Sequence, residues 1–258
     1  MSGVVNHILT PYFLDKRLPG LDHLAGSDWV VNQPELPVGG QLSRMAVLYQ
    51  ALAENVWRIL EKGHLPVSIA GDCCTALGVW AGLQRADVSP QLIWFDAHGD
   101  FNTWETTPSG FLGGMPLAML VGRGEQYLLK AVNVHPLEED RVVLTDARDL
   151  DPGEREAVED ARVTHLKDPR MVLDGDFVSG DLWVHFDTDI LDPEECPAMN
   201  YPARGGPSPE NLRAVFRGLA AKGTIRAVSL SSWAPALDES GRSEALCLSL
   251  LGELLGRH

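Results

Sequence analysis

At 258 residues with 45% hydrophobic side chains, the chain can bury a sizeable core and fits one large α/β domain better than two small ones. Its formal net charge of -15 excludes the clustered Lys and Arg that phosphate backbones require, so cations and small molecules, not nucleic acid, are the expected partners. Four cysteines, Cys73, Cys74, Cys196 and Cys247, show neither zinc-finger spacing nor secreted-scaffold density, which fits a reducing cytoplasm.

In chain order, strand-length runs rich in β-branched and aromatic residues are predicted over Val4–Leu9, Val67–Ala70, Leu92–Phe95, Val142–Thr145, Leu182–Phe186 and Ile225–Leu230. Longer amphipathic stretches separate them, the pattern of parallel strands joined by crossover helices in a doubly wound α/β sheet. Helices are predicted over Leu42–Glu61, stopped by Gly63, over Pro209–Lys222, and over Ser243–Leu255. The second has Ser208 as N-cap, Pro209 in its first turn, Glu210 complementing the dipole and Gly223 beyond its end. Leu212, Val215, Phe216 and Leu219 form the face expected to meet the sheet. No repeat, low-complexity tract or linker interrupts the chain. The amino-terminal segment lacks the charge and apolar run of a leader, and no window approaches the roughly 18 apolar residues of a membrane span. A soluble, unprocessed, cytoplasmic protein without a membrane partner is therefore expected.

In open parallel sheets, chemistry collects outside the carboxyl ends of the strands. "WFDAHGDFNT" continues a predicted strand, and an extended backbone would turn Asp96, His98 and Asp100 to one side. "HFDTDILDP" repeats the arrangement with Asp187 and Asp189. Carboxylates crowded at neighbouring strand ends repel one another unless cations lie among them. Two divalent ions would balance Asp96, Asp100, Asp187 and Asp189; with an imidazole in the set, Mn2+ is the first choice and Zn2+, Fe2+ and Ni2+ are alternatives. Such ions lower the pKa of bound water enough to supply hydroxide near neutral pH.

The segments "AGDCCTALG", "WFDAHGDFNT", "TTPSGFLGGMP", "ARDLDPGE" and "HFDTDILDP" resemble, in order and spacing, the motifs of the arginase and agmatinase family of ureohydrolases. The resemblance runs from about Val67 to the carboxyl terminus and implies a single arginase-like metallohydrolase domain over residues 1–258, a three-layer α/β fold with a mostly parallel central sheet, and a dimanganese site. By matched position, Asp96 and Asp187 correspond to bridging carboxylates, His98 and Asp189 to ligands of one ion, and Asp100 to a ligand of the other. Asp100 also corresponds to the residue that passes a proton to the leaving amine. Asp96, His98 and Asp100 are thus the catalytic candidates. Asn102, Thr107 and Ser109 match a loop that binds an α-carboxylate, and Asp151 matches an acid that reads the α-amino group.

Four positions depart from the pattern. Cys73 stands where the family has a histidine ligand; its thiolate, if a ligand, shifts the preference towards Zn2+ or Fe2+. Gly113 replaces a histidine of arginases, and Ser232 falls near a glutamate that contacts the guanidinium; Asp238, Glu239 and Glu105 are the neighbouring acids that could substitute. Phe111 replaces an asparagine of the carboxylate loop. These exchanges are nearest to the bacterial branch containing the Nω-hydroxy-L-arginine hydrolase of cycloserine biosynthesis. The expected function is hydrolysis of a carbon-nitrogen bond in a linear amidine, a guanidino or N-hydroxyguanidino α-amino acid, through attack of a metal-bridging hydroxide. Two alternatives remain open at the level of sequence: a weakened metal site serving as a binding or regulatory module, and a single-zinc, deacetylase-like hydrolase. The family's trimers and hexamers make a homo-oligomer an option that no sequence feature decides.

Overall fold

The structure, a computed structural model, describes residues 4–174, 176–231 and 233–256. Its strands are β1 (Val5–Thr10), β2 (Tyr12–Phe13), β3 (Lys16–Arg17), β4 (Val30–Val31), β5 (Leu65–Ala70), β6 (Gln91–His98), β7 (Val142–Asp149), β8 (Thr164–Leu166), β9 (Asp181–Asp187) and β10 (Thr224–Ser231). Its α-helices are α1 (Gln41–Glu61), α2 (Ala76–Arg85), α3 (Pro116–Leu120), α4 (Tyr127–Ala131), α5 (Pro152–Asp160), α6 (Pro209–Lys222) and α7 (Arg242–Leu254). Eight strands form one parallel sheet in the order β4-β1-β5-β10-β9-β6-β7-β8, while β2 and β3 form a separate antiparallel hairpin.

The central strands bury one face against each of two helical layers, because successive side chains point to opposite faces. Along β6, Leu92 and Trp94 join the cluster that contains α1, α2, α3 and α4, whereas Ile93 and Phe95 join the cluster of α6 and α7. Along β9 the same split separates Trp183 from Val184 and Phe186. The three-layer, doubly wound α/β sheet expected from the sequence is therefore the observed architecture. All six predicted strands and all three predicted helices are present, with β6 and β7 continuing three and four residues past the predicted ends.

The elements that escaped prediction have physical reasons. β4 and β8 are edge strands of 2 and 3 residues, too short for periodicity to register. Helix α2 is buried from Ala76 through Leu83, so no polar face marks it. It lies so close to α1 that a Cβ on Gly82 would stand 2.4 Å from the Cβ of Val56. The predicted caps hold in part. Ser208 accepts a hydrogen bond from Asn211 N at 3.3 Å, and Gly63 is left-handed (φ 71°) after α1. Gly223, however, is extended (φ -153°); it is needed for space, since a Cβ there would lie 2.7 Å from Gly180 O.

Candidate metal and active centre

The site begins with the pairing of β6 and β9, where Trp94 lies opposite His185 and Phe95 opposite Phe186. Trp94 and Trp183 face the α1 and α2 layer, so residues an even number further on, Asp96 and Asp187, face the same side at the carboxyl ends of these strands. The expected alternation continues as far as His98. Between Asp96 and His98 the register against β7 shifts, and Asp100 has left-handed backbone (φ 51°), so a turn rather than an extended strand brings Asp100 to the site. Asp189 sits on a 3-10 turn, Thr188–Ile190, with its N–H donating to Asp187 Oδ1 at 3.0 Å. Cys73 opens another 3-10 turn, Cys73–Thr75, just after β5, where Asp72 Oδ1 caps Cys74 N.

These turns converge on one cavity of about 180 Å³, whose lining includes Cys73, Asp96, His98, Asp100, Asn102, Thr107, Ser109, Asp151, Asp187 and Asp189. Every ligand and substrate candidate taken from the sequence thus faces the same space. Two groups of donor atoms lie within 4.8 Å of one another: Cys73, Asp96, His185 and Asp187, and Asp96, His98 and Asp189. Asp96 belongs to both. Asp100 lies outside both groups, but its Oδ2 is buried without a hydrogen-bond partner.

Cys73 Sγ donates to Asp187 Oδ2 at 2.6 Å, Trp94 Nε1 donates to Asp96 Oδ2 at 3.0 Å, and His98 Nδ1 lies 3.1 Å from Asp189 Oδ2. Burial, then the charges of Asp96 and Asp187, push the Asp100 carboxyl well above the carboxylate range. Burial also pushes Asp189 up to about 6 and raises the Cys73 thiol, beside Asp187, far above its usual value. Burial opposes the His98 imidazolium, yet Asp189 and Asp96 outweigh it and push that ring up to about 12. Burial likewise opposes ionised Asp96, but hydrogen bonds from His98 hold it below the usual range. Left to protons alone, the cluster stays tolerable by protonating Asp100 and His98. Divalent cations would relieve the same repulsion and give the orphaned Asp100 oxygen a partner, so the donor set fits such ions.

The surrounding loops are pinned from two sides. Arg148 of β7 pairs with Asp146 and donates to the backbone oxygens of Ile190 at 3.1 Å and Ala203 at 2.7 Å, fixing the loop that follows β9. Glu154, which the sequence reading missed, accepts from Phe101 N at 2.8 Å and from Asp151 N at 3.1 Å, tying the turn after β6 to the start of α5. Burial pushes its carboxyl up to about 7. Asp151 Oδ2 accepts from Asn102 Nδ2 at 3.0 Å, while Thr107 and Ser109 lie at the exposed rim with their hydroxyls 3.3 Å apart. Among the described residues, the lining contains no Lys or Arg. Among missed residues, Asp72, Asp149, Phe13 and Tyr201 also border the cavity.

The departures are structurally connected. A Cβ on Gly113 would stand 2.3 Å from the ring of Phe111, so the phenyl group occupies the room that a larger side chain at 113 would need. Phe111 also meets Phe13 and Tyr201, with ring centroids 6.3 and 5.1 Å apart, forming an aromatic wall. Ser232 lies outside the described residues. None of Asp238, Glu239 and Glu105 lines the cavity, and Asp238 instead caps α7 through Ser243 N and Glu244 N. None of the three acids thus stands in for the missing glutamate, and each reads as a loop acid: local backbone donors hold Asp238 at α7, and Glu105 is exposed. Cys74 is buried, with Sγ 3.7 Å from Leu112 O. No disulfide joins any of the cysteines. No helix among the described residues is long and apolar enough to cross a membrane.

Residues 27–256 match the profile of the Arginase family. The arginase of Bacillus subtilis (strain 168) is 30% identical over 220 residues, covering 81% of this chain and 74% of that protein. The arginase of Brucella melitensis biotype 1 is 31% identical over 227 residues, covering 81% and 73%. A crystal structure of the Bacillus subtilis arginase superposes with a TM-score of 0.84 at 26% identity and 99% coverage of both chains. Similarity of this extent, together with a carboxylate cluster at the ends of β6 and β9, places the chain in the arginase family, as an arginase-like amidinohydrolase.

Proposed function

We propose that residues 1–258 form one metallohydrolase domain that cleaves a guanidino or N-hydroxyguanidino α-amino acid with the help of two divalent ions, Mn2+ first and Zn2+, Fe2+ or Ni2+ as alternatives. The observation that carries this reading is a cavity lined, among the described residues, by eight carboxylates and no Lys or Arg, a place for cationic ligands and for a substrate with a basic end. In this reading Asp96, Asp187, His98, Asp189, Asp100 and Cys73 would hold the two ions, with His98 and Asp189 serving one and Asp100 and Cys73 the other. The ions would supply a nucleophilic hydroxide near neutral pH and Lewis acidity at the trigonal carbon.

The chain's own groups do the rest. Asp100, whose Oδ2 is buried and unpartnered, takes up and returns the proton that lets the amine depart. Asp151, oriented by Asn102, holds the α-ammonium group, and Thr107 and Ser109 at the rim donate hydrogen bonds to the α-carboxylate. The aromatic wall of Phe13, Phe111 and Tyr201 confines the stem of the substrate. Gly113 offers no proton-transfer group. An N-hydroxyguanidine has a less basic nitrogen and depends less on such a group, which favours it over a plain guanidine. A metallated sample should therefore show a higher kcat/KM for Nω-hydroxy-L-arginine than for L-arginine, by roughly 10-fold or more. A preference for L-arginine would refute this substrate assignment. The bacterial branch that processes hydroxyarginine for cycloserine is the functional parallel proposed, and the compartment proposed is the cytoplasm.

A further inference from the structure

Where relatives described by the sequence resemblance place a histidine, this chain has Cys73, and an imidazole on β9 brings a nitrogen within 4.8 Å of its sulfur. His185 lies on β9 two residues before Asp187, fully buried, and its ring belongs to the group of donors formed by Cys73, Asp96 and Asp187. Its orientation is fixed on three sides. The ring stacks on Trp94 at 3.7 Å between centroids, Nδ1 lies 2.9 Å from Ser229 Oγ, and Nε2 lies 3.3 Å from Ser231 Oγ.

In the β9–β10 register, Ser229 stands opposite His185 and Ser231 opposite Asp187. Nε2 is therefore the nitrogen directed towards the carboxyl end of the strand, where the carboxylates gather. Ser229 Oγ already accepts from Trp183 Nε1 at 3.0 Å and has a second lone pair for an N–H at Nδ1. That tautomer leaves Nε2 an acceptor, met by the Ser231 hydroxyl at 3.3 Å, a long contact that a bound ion would replace by rotation of the hydroxyl, giving the arrangement in which a ligating histidine donates its other N–H to a supporting group.

We infer that His185 Nε2 is a metal ligand of this chain, exchanged in space for the family histidine that Cys73 replaces. This rests on the two-ion reading proposed above and extends it. One site then offers sulfur, nitrogen and carboxylate donors, and the other, built from Asp96, His98 and Asp189, offers one imidazole and carboxylates. The first should favour Zn2+ or Fe2+ relative to the second, because softer donors select softer ions.

The test is proton NMR of the full chain after chelation and reloading with Co2+, with bound metal measured by elemental analysis. A Co2+-bound His185 should give a hyperfine-shifted imidazole N–H, slow to exchange because Nδ1 is buried against Ser229. The signal should persist in His98→Asn and vanish in His185→Gln. In His185→Gln, Co2+ affinity at one site should fall by roughly 10- to 100-fold. Because replacing a fully buried ring can unfold a protein, the wild-type and His98→Asn spectra decide the matter by themselves. Protein that carries Co2+ but shows no such protected N–H would overturn the assignment while leaving the two-ion reading intact. Protein that binds no Co2+ would overturn both.

Discussion

Asp187→Asn is expected to lower kcat/KM by roughly 10³-fold or more and to leave the purified protein short of metal, since it removes a charge that both ions would share. Asp187 is 1% exposed, sits at the carboxyl end of β9, accepts from Cys73 Sγ and from Asp189 N, and so anchors both the thiol turn and the turn that carries Asp189. The amide keeps the shape and an acceptor oxygen, which makes the substitution a test of charge more than of packing. Steady-state kinetics on the best guanidino substrate, read beside elemental analysis, checks it. Activity within 10-fold of wild type at full metal content would mean that Asp187 is a structural acid.

The second large effect is on stability. Phe216→Ala should cost about 3–5 kcal/mol, because it empties the space where α6 meets the sheet. Phe216 is completely buried and meets Phe95 and Phe186 edge-on, each with ring centroids 5.1 Å apart. These partners lie next to Asp96 and Asp187 in sequence but point to the opposite face, away from the cavity. Thermal unfolding should show Tm lower by roughly 6–20 °C, with kcat at low temperature nearly unchanged. An unshifted Tm would mean that the layer relaxes to refill the space.

Much of this site was readable because strand alternation is local. Leu92, Trp94 and Asp96 alternate with Ile93 and Phe95, so the sequence places the carboxylate on a defined side at the end of a defined strand. The turn at Asp100 was not readable, since neither its left-handed backbone nor the register shift against β7 just before it is recorded in any local pattern. His185 escaped for a related reason. It falls within a run of buried strand residues, and only the pairing of β9 with β6 and β10 brings its ring between Trp94 and two serines. That the phenyl ring of Phe111 fills the volume a side chain at Gly113 would need is a contact only the fold reveals. Glu154 carries no sequence signal of its own, because both its oxygens are committed to backbone donors that only the fold brings together.

The central claim is that the crowded carboxylates at the ends of β6 and β9 are built to hold divalent cations. Crystals grown without chelator and soaked in MnCl2, with diffraction recorded near the manganese absorption edge, address it directly. Two anomalous peaks within coordination distance of Asp96 and Asp187, one also contacting His98 and Asp189, are the predicted result. Difference maps with no anomalous signal in that cavity would contradict the account.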